Sequence, residues 1–244
     1  MLKILVTGIS GRMGQTVKQA VELNDGTEMA ATHDVGQDIA AAMSAADCAI
    51  DFSFHGFTPE LLATAVAQNK PLVIGTTGHT DAERAAIAEA AKQIPIVFAS
   101  NYSVGVNTLF WLTRKATQIL KDYDIEIIEM HHHHKLDAPS GTARTLAEVV
   151  CVETGMSYDK DVMHGREGLV GARPQRQIGM HSMRGGDVVG DHTVMYATDG
   201  ERVELTHKAS SRMTFAGGAV RAALWLADKP AGLYSMQDVL GFAD

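Results

Sequence analysis

The sequence is poor in cysteine: Cys48 and Cys151 are its only thiols among 244 residues. Two cysteines this far apart in a chain of this length are no disulfide framework, and they lack the paired spacing of zinc ligands. We therefore interpret both as small, buried apolar side chains.

Basic charge and long apolar runs are also scarce. The net charge is −8 and the isoelectric point is about 5.7, which argues against a broad nucleic-acid surface but leaves room for a small basic pocket. The opening run MLKILVTG is too short for a signal sequence, and no apolar stretch approaches the length of a membrane span. We expect a soluble, cytoplasmic protein of one large or two modest domains.

Strand and helix patterns alternate through about residue 100. Short apolar runs predict strands that are buried on both faces, and these runs are LKILVTG, EMAATHD, CAIDFS, PLVIGTTG and IPIVFAS. Helical segments lie between them, and Thr58 is a predicted N-cap ahead of Pro59. The pattern predicts an α/β fold with a Rossmann-like, doubly wound parallel sheet.

The pattern changes after residue 100. Helices are predicted for VNTLFWLTRKATQIL, SGTARTLAEVVCVET and FAGGAVRAALWLADKP, and a strand for DIEIIEMHH. Residues 155–175 are expected to form a long loop. The segments IGMHSMRGG, DHTVMYATDG and ERVELTHKAS are interpreted as three antiparallel strands with one face open.

A glycine-rich turn joins the first strand to the first helix. The segment VTGISGRMG carries Gly8, Gly11 and Gly14, and Asp34 follows the second predicted strand. Such glycines let the backbone approach a pyrophosphate at a helix N-terminus, and the acidic residue accepts hydrogen bonds from a ribose diol. We interpret the turn as a dinucleotide site, with a plain tight turn as the alternative.

Cofactor preference depends on the residues around Asp34. Val35 and Gly36 follow it instead of a basic residue, and only Arg12 is near to pair with a 2′-phosphate. The site is therefore expected to prefer NADH or to accept both NADH and NADPH. The loops Gly75–Gly78 and Ala99–Tyr102, at predicted strand ends, are expected to line the nicotinamide end of the cofactor, with ordinary turns as the alternative.

Four consecutive histidines stand in the segment EMHHHHKLDAPSGTA. In an extended strand His131 and His133 would face one way and His132 and His134 the other, so the four cannot converge on one ion. No metal site is predicted here.

The residues after the histidines suit acid–base chemistry on an anion. Imidazole transfers protons near neutral pH, and Lys135 adds a positive charge. Ser140 is a predicted helix cap, after which the amides of Gly141 and Thr142 favour a carboxylate. The segment predicts reduction of a small, unsaturated carboxylated molecule, and a solvated polar loop is the alternative.

The sequence resembles the dihydrodipicolinate reductase (4-hydroxy-tetrahydrodipicolinate reductase) family of bacterial lysine and diaminopimelate biosynthesis. The resemblance covers essentially the whole chain and rests on GxxGRMG, GTTG, NYSVGVN, EMHHHHKLDAPSGTA, HSMRGGDVVGDH and RMTFAGGAVRAA. It implies a dinucleotide-binding domain from residues 1–102 with 213–244, and a substrate-binding and tetramerisation domain, 103–212, with a mixed, largely open sheet. It also implies an NAD(P)H-dependent oxidoreductase that acts as a homotetramer on a cyclic dicarboxylate.

By the same resemblance, His131 is the acid that protonates the ring and Lys135 assists it. The substrate-binding residues implied are His132, Gly141, Thr142 and Arg212. The cofactor-binding residues implied are Gly8, Ile9, Ser10, Gly11, Arg12, Met13, Asp34, Gly75, Thr76, Thr77, Ala99, Ser100, Asn101 and Tyr102.

The chain departs from the family pattern at His133, where the family often has arginine. A histidine there makes the local charge depend on pH, so substrate affinity is expected to weaken as pH rises. Three other functions remain open from the residues: a non-catalytic nicotinamide sensor, a related small-acid dehydrogenase and a metal-dependent hydrolase.

Overall fold

A computed structural model describes residues 1–242. The chain forms two compact units, one made of Met1–Val104 and the chain from Arg212 onward, the other of Gly105–Ser211. The predicted division lies at 102/103 and 212/213.

Strands and helices are numbered in chain order. The strands are β1 (Leu2–Thr7), β2 (Thr27–His33), β3 (Cys48–Asp51), β4 (Leu72–Ile74), β5 (Pro95–Phe98), β6 (Asp124–His131), β7 (Val162–His164), β8 (Ile178–Arg184), β9 (Gly190–Thr198), β10 (Glu201–Ala209) and β11 (Gly232–Tyr234). The helices are α1 (Arg12–Glu22), α2 (Ile39–Ser44), α3 (Thr58–Ala67), α4 (Asp81–Ala90), α5 (Val104–Ile119), α6 (Gly141–Thr154), α7 (Tyr158–Asp161), α8 (Met213–Leu226) and α9 (Met236–Leu240).

The first unit contains a six-stranded sheet in the order β11-β5-β4-β3-β1-β2, with all neighbouring strands parallel. One face packs against α1 and α8, and the other packs against α2, α3 and α4. Ile4 and Val6 lie in the first core while Leu5 lies in the second, so the strand is apolar on both sides. This arrangement confirms the predicted Rossmann-like, doubly wound sheet.

The second unit contains a mixed sheet in the order β10-β9-β6-β8-β7. β10, β9 and β6 are antiparallel neighbours, whereas β8 runs parallel to both β6 and β7. The prediction of three antiparallel strands is therefore wrong for β8. The reason is that α6 and the segment after it carry the chain back before β8 begins, which is the crossover that parallel pairing needs.

The two faces of this sheet differ. Along β6 alternate residues are buried, and they are Ile125, Ile127, Glu129 and His131. The isoleucines belong to a core that includes Leu109 of α5 and Leu146 of α6. Glu129 and His131 thus continue the buried face of β6 beyond its two isoleucines, at the carboxyl end of the strand. Buried polar side chains in this position indicate a functional site and not a packing surface.

Two local expectations need correction, and two short elements were not predicted. α3 begins at Thr58 with Phe57 as its N-cap, and the Thr58 hydroxyl instead lies 2.8 Å from Nε2 of His79. The expected long loop at 155–175 contains α7 and β7, and β11 and α9 follow the last predicted helix. All of these elements are short, so their local pattern carries little signal.

Both cysteines are free and buried, as expected. Burial raises the pKa of the Cys48 thiol to about 12 and that of Cys151 to about 11, so neither is a ready nucleophile. Within residues 1–242, none of the helices combines the length and apolar character needed to span a bilayer.

Candidate active site

The glycine turn is built as the sequence predicts. Gly8 has a φ of +69°, and a Cβ there would lie 2.5 Å from the carbonyl oxygen of Phe52. Only glycine fits such a position without strain, because the torsion and the close approach both exclude a side chain. Gly11 precedes α1 as its N-cap, and Arg12 and Met13 form the first turn.

Asp34 follows β2 and reaches back to this turn. Its Oδ2 accepts a hydrogen bond from the Ser10 backbone amide at 2.6 Å, and its Oδ1 accepts one from Val35 N at 2.9 Å. Hydrogen bonds from Ser10 and then from Val35 lower the pKa of Asp34. The carboxylate therefore stands ionised beside the turn.

A cavity of about 700 Å³ opens at this end of the sheet. It is lined by the glycine turn, by the chain after β2 and by the segment from Phe52 to Glu60. Among the described residues that line it, there is no lysine or arginine, whereas Asp34 and Glu60 are both present. Glycine turn, carboxylate and cavity together fit the adenosine end of a dinucleotide.

The loop after β4 is tied to a fully buried carboxylate. Asp51, at the end of β3, accepts hydrogen bonds from the hydroxyls of Thr7, Ser53 and Thr76. Its backbone oxygen accepts one from the Gly75 amide at 2.8 Å. Asp51 thus connects the ends of β1, β3 and β4, while Thr77 is exposed at the loop surface.

Among residues 99–102 of the loop after β5, Tyr102 is the buried one. The Tyr102 side chain is 1 % exposed, and its hydroxyl lies 2.9 Å from the backbone oxygens of Ile74 and Val97. It anchors the loop in the core. Ser100 is exposed, and Ala99 and Asn101 are partly exposed.

The histidine run does not continue as a strand. β6 ends at His131, and His133 and His134 lie in a turn with ring centroids 3.9 Å apart. The predicted alternation of the four side chains is therefore wrong beyond His131, because the chain leaves the sheet. Throughout residues 1–242 no group of three or more His, Cys, Asp or Glu side chains is arranged to hold a metal ion.

His131 is fixed through one ring nitrogen. Its Nδ1 lies 2.6 Å from Oε2 of Glu129, two positions earlier on the same face of β6. Burial alone would raise the pKa of Glu129, but hydrogen bonds from His131, Arg184 and Ser182 outweigh it and lower the pKa to about 2. An ionised carboxylate only accepts hydrogen bonds, so Nδ1 carries a proton and Nε2 is left for exchange.

Arg184 holds the other side of this carboxylate. Its Nη1 and Nη2 donate to the two oxygens of Glu129 at 2.9 and 2.8 Å, and Nη2 also donates to the backbone oxygen of Asp137 at 2.7 Å. Ser140 N donates to Oε1 of Glu129 at 3.2 Å. The buried charge is therefore paired and hydrogen-bonded, as such charges must be.

Lys135 is partly buried and paired. Its Nζ lies 2.9 Å from Oδ1 of Asp137. Burial would raise the pKa of Asp137, but the hydrogen bond from Lys135 lowers it. The lysine therefore stands near the histidine run as a fixed cation.

α6 begins as predicted, with Ser140 as its N-cap. The Ser140 hydroxyl accepts a hydrogen bond from Ala143 N at 3.2 Å. No acidic residue stands in the first turn, and a Cβ at Gly141 would meet no atom within 4 Å. Open space at a helix N-terminus suits a carboxylate.

The predicted substrate residues are divided between the units. His132, Gly141 and Thr142 share the second unit with His131, whereas Arg212 precedes α8 in the first unit as its N-cap. The contacts above also involve residues that the sequence prediction does not include, namely Glu129, Arg184 and Asp51. Glu129 could have been found, because residues two apart on a strand share a face.

Two family models together match nearly all of the described chain. The model of the dihydrodipicolinate reductase N-terminus matches residues 2–102, and that of the dihydrodipicolinate reductase C-terminus matches residues 105–240.

Relatives of similar length carry the same name. A 4-hydroxy-tetrahydrodipicolinate reductase of Akkermansia muciniphila is 67% identical over 244 residues, covering 100% of this chain and 99% of the relative. One of Cupriavidus metallidurans is 49% identical over 263 residues, covering 98% of this chain and 99% of the relative.

Solved structures share the fold. A dipicolinate-bound dihydrodipicolinate reductase from Paenisporosarcina sp. TG-14 has a TM-score of 0.77 at 24% identity and covers 98% of both chains. An amine dehydrogenase from Mycobacterium smegmatis has a TM-score of 0.58 at 11% identity, over 96% of this chain and 95% of the other.

Proposed function

The chain belongs to the dihydrodipicolinate reductase family and is a nicotinamide-dependent oxidoreductase that reduces 4-hydroxy-tetrahydrodipicolinate in lysine biosynthesis; we propose that His131 is its proton donor. The observation that carries this assignment is the contact between Nδ1 of His131 and the ionised carboxylate of Glu129. It leaves Nε2 as the nitrogen that can deliver a proton to the ring.

Lys135 is proposed to assist His131. Its ammonium is paired with Asp137 in the loop that follows the histidines. A fixed cation there favours the negatively charged substrate and the electron density that develops on the ring as hydride arrives. When bound, the nicotinamide supplies that hydride.

The substrate carboxylates are proposed to bind at the start of α6. Gly141 and Thr142 contribute the first-turn amides, and His132 contributes a side chain from the same unit. Arg212, in the first unit, is proposed as a further substrate-binding residue on the family resemblance alone. The open space at Gly141 and the absence of acidic residues in the first turn support this role. The dipicolinate-bound relative binds a ring dicarboxylate of the same class.

The first unit is proposed to bind the cofactor. Gly8 to Met13 would hold the pyrophosphate, Asp34 the adenosine ribose, and the loops at 75–77 and 99–102 the nicotinamide end. The side chains of Thr76 and Tyr102 are buried and hydrogen-bonded within the first unit. At these two residues backbone atoms would therefore contact the cofactor.

We propose NADH preference, or use of both cofactors, over strict NADPH use. The cavity beside Asp34 lacks lysine and arginine among its described lining residues, and Val35, directly after Asp34, is 97% exposed. A 2′-phosphate would meet a carboxylate and find no cation in that lining. Steady-state kinetics with each cofactor tests this, and a large NADPH advantage would contradict it.

We propose a homotetramer assembled through the open face of the second sheet, in the cytoplasm. On the face opposite the core, Ile128, Met130 and Met195 are half-buried and Met183 is exposed. Apolar side chains grouped on one face favour association. Light scattering should give a tetramer that Met195→Glu dissociates, while Val152→Glu on α6 should leave it intact.

One assay tests the activity and the acid together. Absorbance of NADH is followed after addition of freshly prepared dihydrodipicolinate, with His131→Ala and Thr142→Ala in parallel. His131→Ala is expected to lose about 10²- to 10⁴-fold in kcat and to keep its affinity for dipicolinate. Thr142→Ala is expected to weaken dipicolinate binding chiefly; near-normal turnover by His131→Ala would contradict the assignment.

A further inference from the structure

Glu129 is a buried carboxylate that touches the proposed proton donor. It is 1% exposed, and it accepts hydrogen bonds from Nδ1 of His131, both terminal nitrogens of Arg184, the amide of Ser140 and the side chain of Ser182. Burying a charge is costly, and the same volume could hold an apolar side chain. The cost of burying this carboxylate indicates that its charge has a functional role.

The register of the sheet explains how the group forms. In the pairing of β6 with β8, His131 lies opposite Arg184 and Glu129 lies opposite Ser182. All four side chains share the face that also carries His192 of β9. The guanidinium spans from the carboxylate to the backbone oxygen of Asp137, the residue that pairs with Lys135.

We propose that Glu129 and Arg184 are positioning residues for the reaction. Glu129 fixes the ring of His131 with its proton on Nδ1 and stabilises the imidazolium, and Arg184 holds Glu129 in place and ties the strand to the Lys135–Asp137 loop. This rests on the proposed function, because it takes His131 as the proton donor.

Several charged or titratable groups surround His131. Glu129 stands on its own strand, Arg184 on β8, His192 on β9 and Lys135 in the following loop. Burial and then the charge of His131 lower the pKa of His192 to about 3, so His192 is neutral above pH 5. Removing the charge of Glu129 therefore leaves His131 beside the cation of Arg184 and the neutral ring of His192, with Lys135 paired to Asp137 in the following loop.

The test is a double-mutant cycle with Glu129→Gln, His131→Ala and the double variant, each with kcat and KM measured across pH. Glu129→Gln is expected to lower kcat roughly 10- to 100-fold, a part of the ~10²–10⁴ that a general acid contributes. The alkaline limb of its pH profile should move to lower pH, because the protonated ring loses its counter-charge. In the His131→Ala background the same change should cost nothing further.

The controls separate positioning from folding. Glu126→Gln is the matched variant, since Glu126 is also paired with arginines, Arg166 and Arg173, but on the opposite face of β6. It should keep the wild-type pH profile. Glu129→Asp should recover part of kcat, and NADH affinity should be unchanged in every variant.

Two measurements keep the proposal testable if Glu129→Gln folds poorly. Arg184→Lys retains the charge but loses the paired donors, and it should shift the pH profile in the same direction. Nitrogen-15 NMR of the histidine rings should show the His131 proton on Nδ1 in the wild-type protein. A proton on Nε2 alone in the neutral ring would overturn the proposal.

The outcomes also separate this proposal from the proposed function. Should His131→Ala keep normal kcat, the assignment of the acid fails and the positioning roles fall with it. Should His131→Ala lose kcat while Glu129→Gln keeps both the rate and the pH profile, only the positioning roles are overturned. Additive losses in the double variant would indicate a purely structural role for Glu129.

Discussion

The hydroxyl of Ser140 lies 2.9 Å from Nε2 of His192, which is 52 positions away in the chain. The same hydroxyl caps α6 through Ala143 N, so a single atom joins the helix start to β9. His192 is 3% exposed, and its ring centroid lies 5.2 Å from that of His131. The helix that is proposed to bind substrate is thereby attached to the sheet that carries the acid.

This contact predicts that stability falls in mild acid. The pKa of His192 is lowered to about 3 from a model-peptide value near 6.5. Between those pH values the His192 side chain is protonated in the unfolded chain but not in the folded chain. The contribution of neutral His192 to the free energy of unfolding is therefore fully present above pH 6.5 and is lost as the pH falls toward 3. From pH 7 to pH 5 the free energy of unfolding should drop by about 2 kcal/mol.

Urea denaturation at pH 7 and pH 5 measures this drop. Fluorescence of Trp111 in a Trp225→Phe background reports the second unit. His192→Gln should remove most of the drop, and the exposed His164→Gln should retain it. An equal drop in His192→Gln would show that other groups, such as His207, whose pKa burial also lowers, cause the acid sensitivity.

A second prediction concerns Asp51. Asp51→Ala removes the acceptor of three hydroxyls, those of Thr7, Ser53 and Thr76. Each unsatisfied buried group costs about 1–3 kcal/mol, so the first unit should lose several kcal/mol of stability and bind NADH more weakly. Calorimetry and NADH titration check this, with the exposed Asp47→Ala as the control. The affinity for dipicolinate should not change in Asp51→Ala. Wild-type affinity for NADH in Asp51→Ala would contradict the role of Asp51 in shaping the cofactor loops.

Much of the fold follows from local patterns. The apolar runs of β1, β3, β4 and β5 predict buried parallel strands, because each has neighbours on both faces. Ser140 is recognisable as a cap because serine before a helical pattern satisfies a free amide within three residues. Both signals lie within a few positions of the feature that they predict.

The missed features depend on residues far apart in the chain. Arg184 meets Glu129 across 55 positions, only because β8 pairs with β6 in a particular register. The sequence predicts β8 only as one of three antiparallel strands with β9 and β10 and does not pair it with β6, so the local pattern offers no partner for either side chain. Asp51 likewise accepts hydrogen bonds from Thr7 and Thr76, which are 44 and 25 positions away in the chain.

Cofactor choice can be tested by adding one charge. Val35 is 97% exposed and follows Asp34 directly. Val35→Arg would place a guanidinium where a 2′-phosphate of NADPH would lie, and a charged hydrogen bond contributes about 1.5–3 kcal/mol. The ratio of kcat/KM for NADPH over NADH should rise roughly 10-fold or more, whereas Val35→Gln should leave it nearly unchanged; an unchanged ratio in Val35→Arg would place the ribose elsewhere.

The final prediction concerns the space beside the reactive nitrogen. A Cβ at Gly190 would lie 3.0 Å from Nε2 of His131 and 3.6 Å from Cε1 of His192. The ring of His131 cannot move away freely, because its Nδ1 is hydrogen-bonded to Glu129, whose carboxylate is held by Arg184. Gly190→Ala should therefore displace Nε2 by a few tenths of an ångström without removing any group that takes part in the reaction.

Proton transfer is sensitive to such displacement, since a misplacement of about 1 Å can cost about 10²-fold. Gly190→Ala should lower kcat roughly 10-fold and leave NADH affinity unchanged. Gly217→Ala on α8, where a Cβ would meet nothing within 4 Å, is the control for adding a methyl group. Combining Gly190→Ala with His131→Ala should cost nothing beyond His131→Ala alone, because the methyl group then meets no ring; an additive loss would mean that Gly190 matters to the sheet and not to the acid.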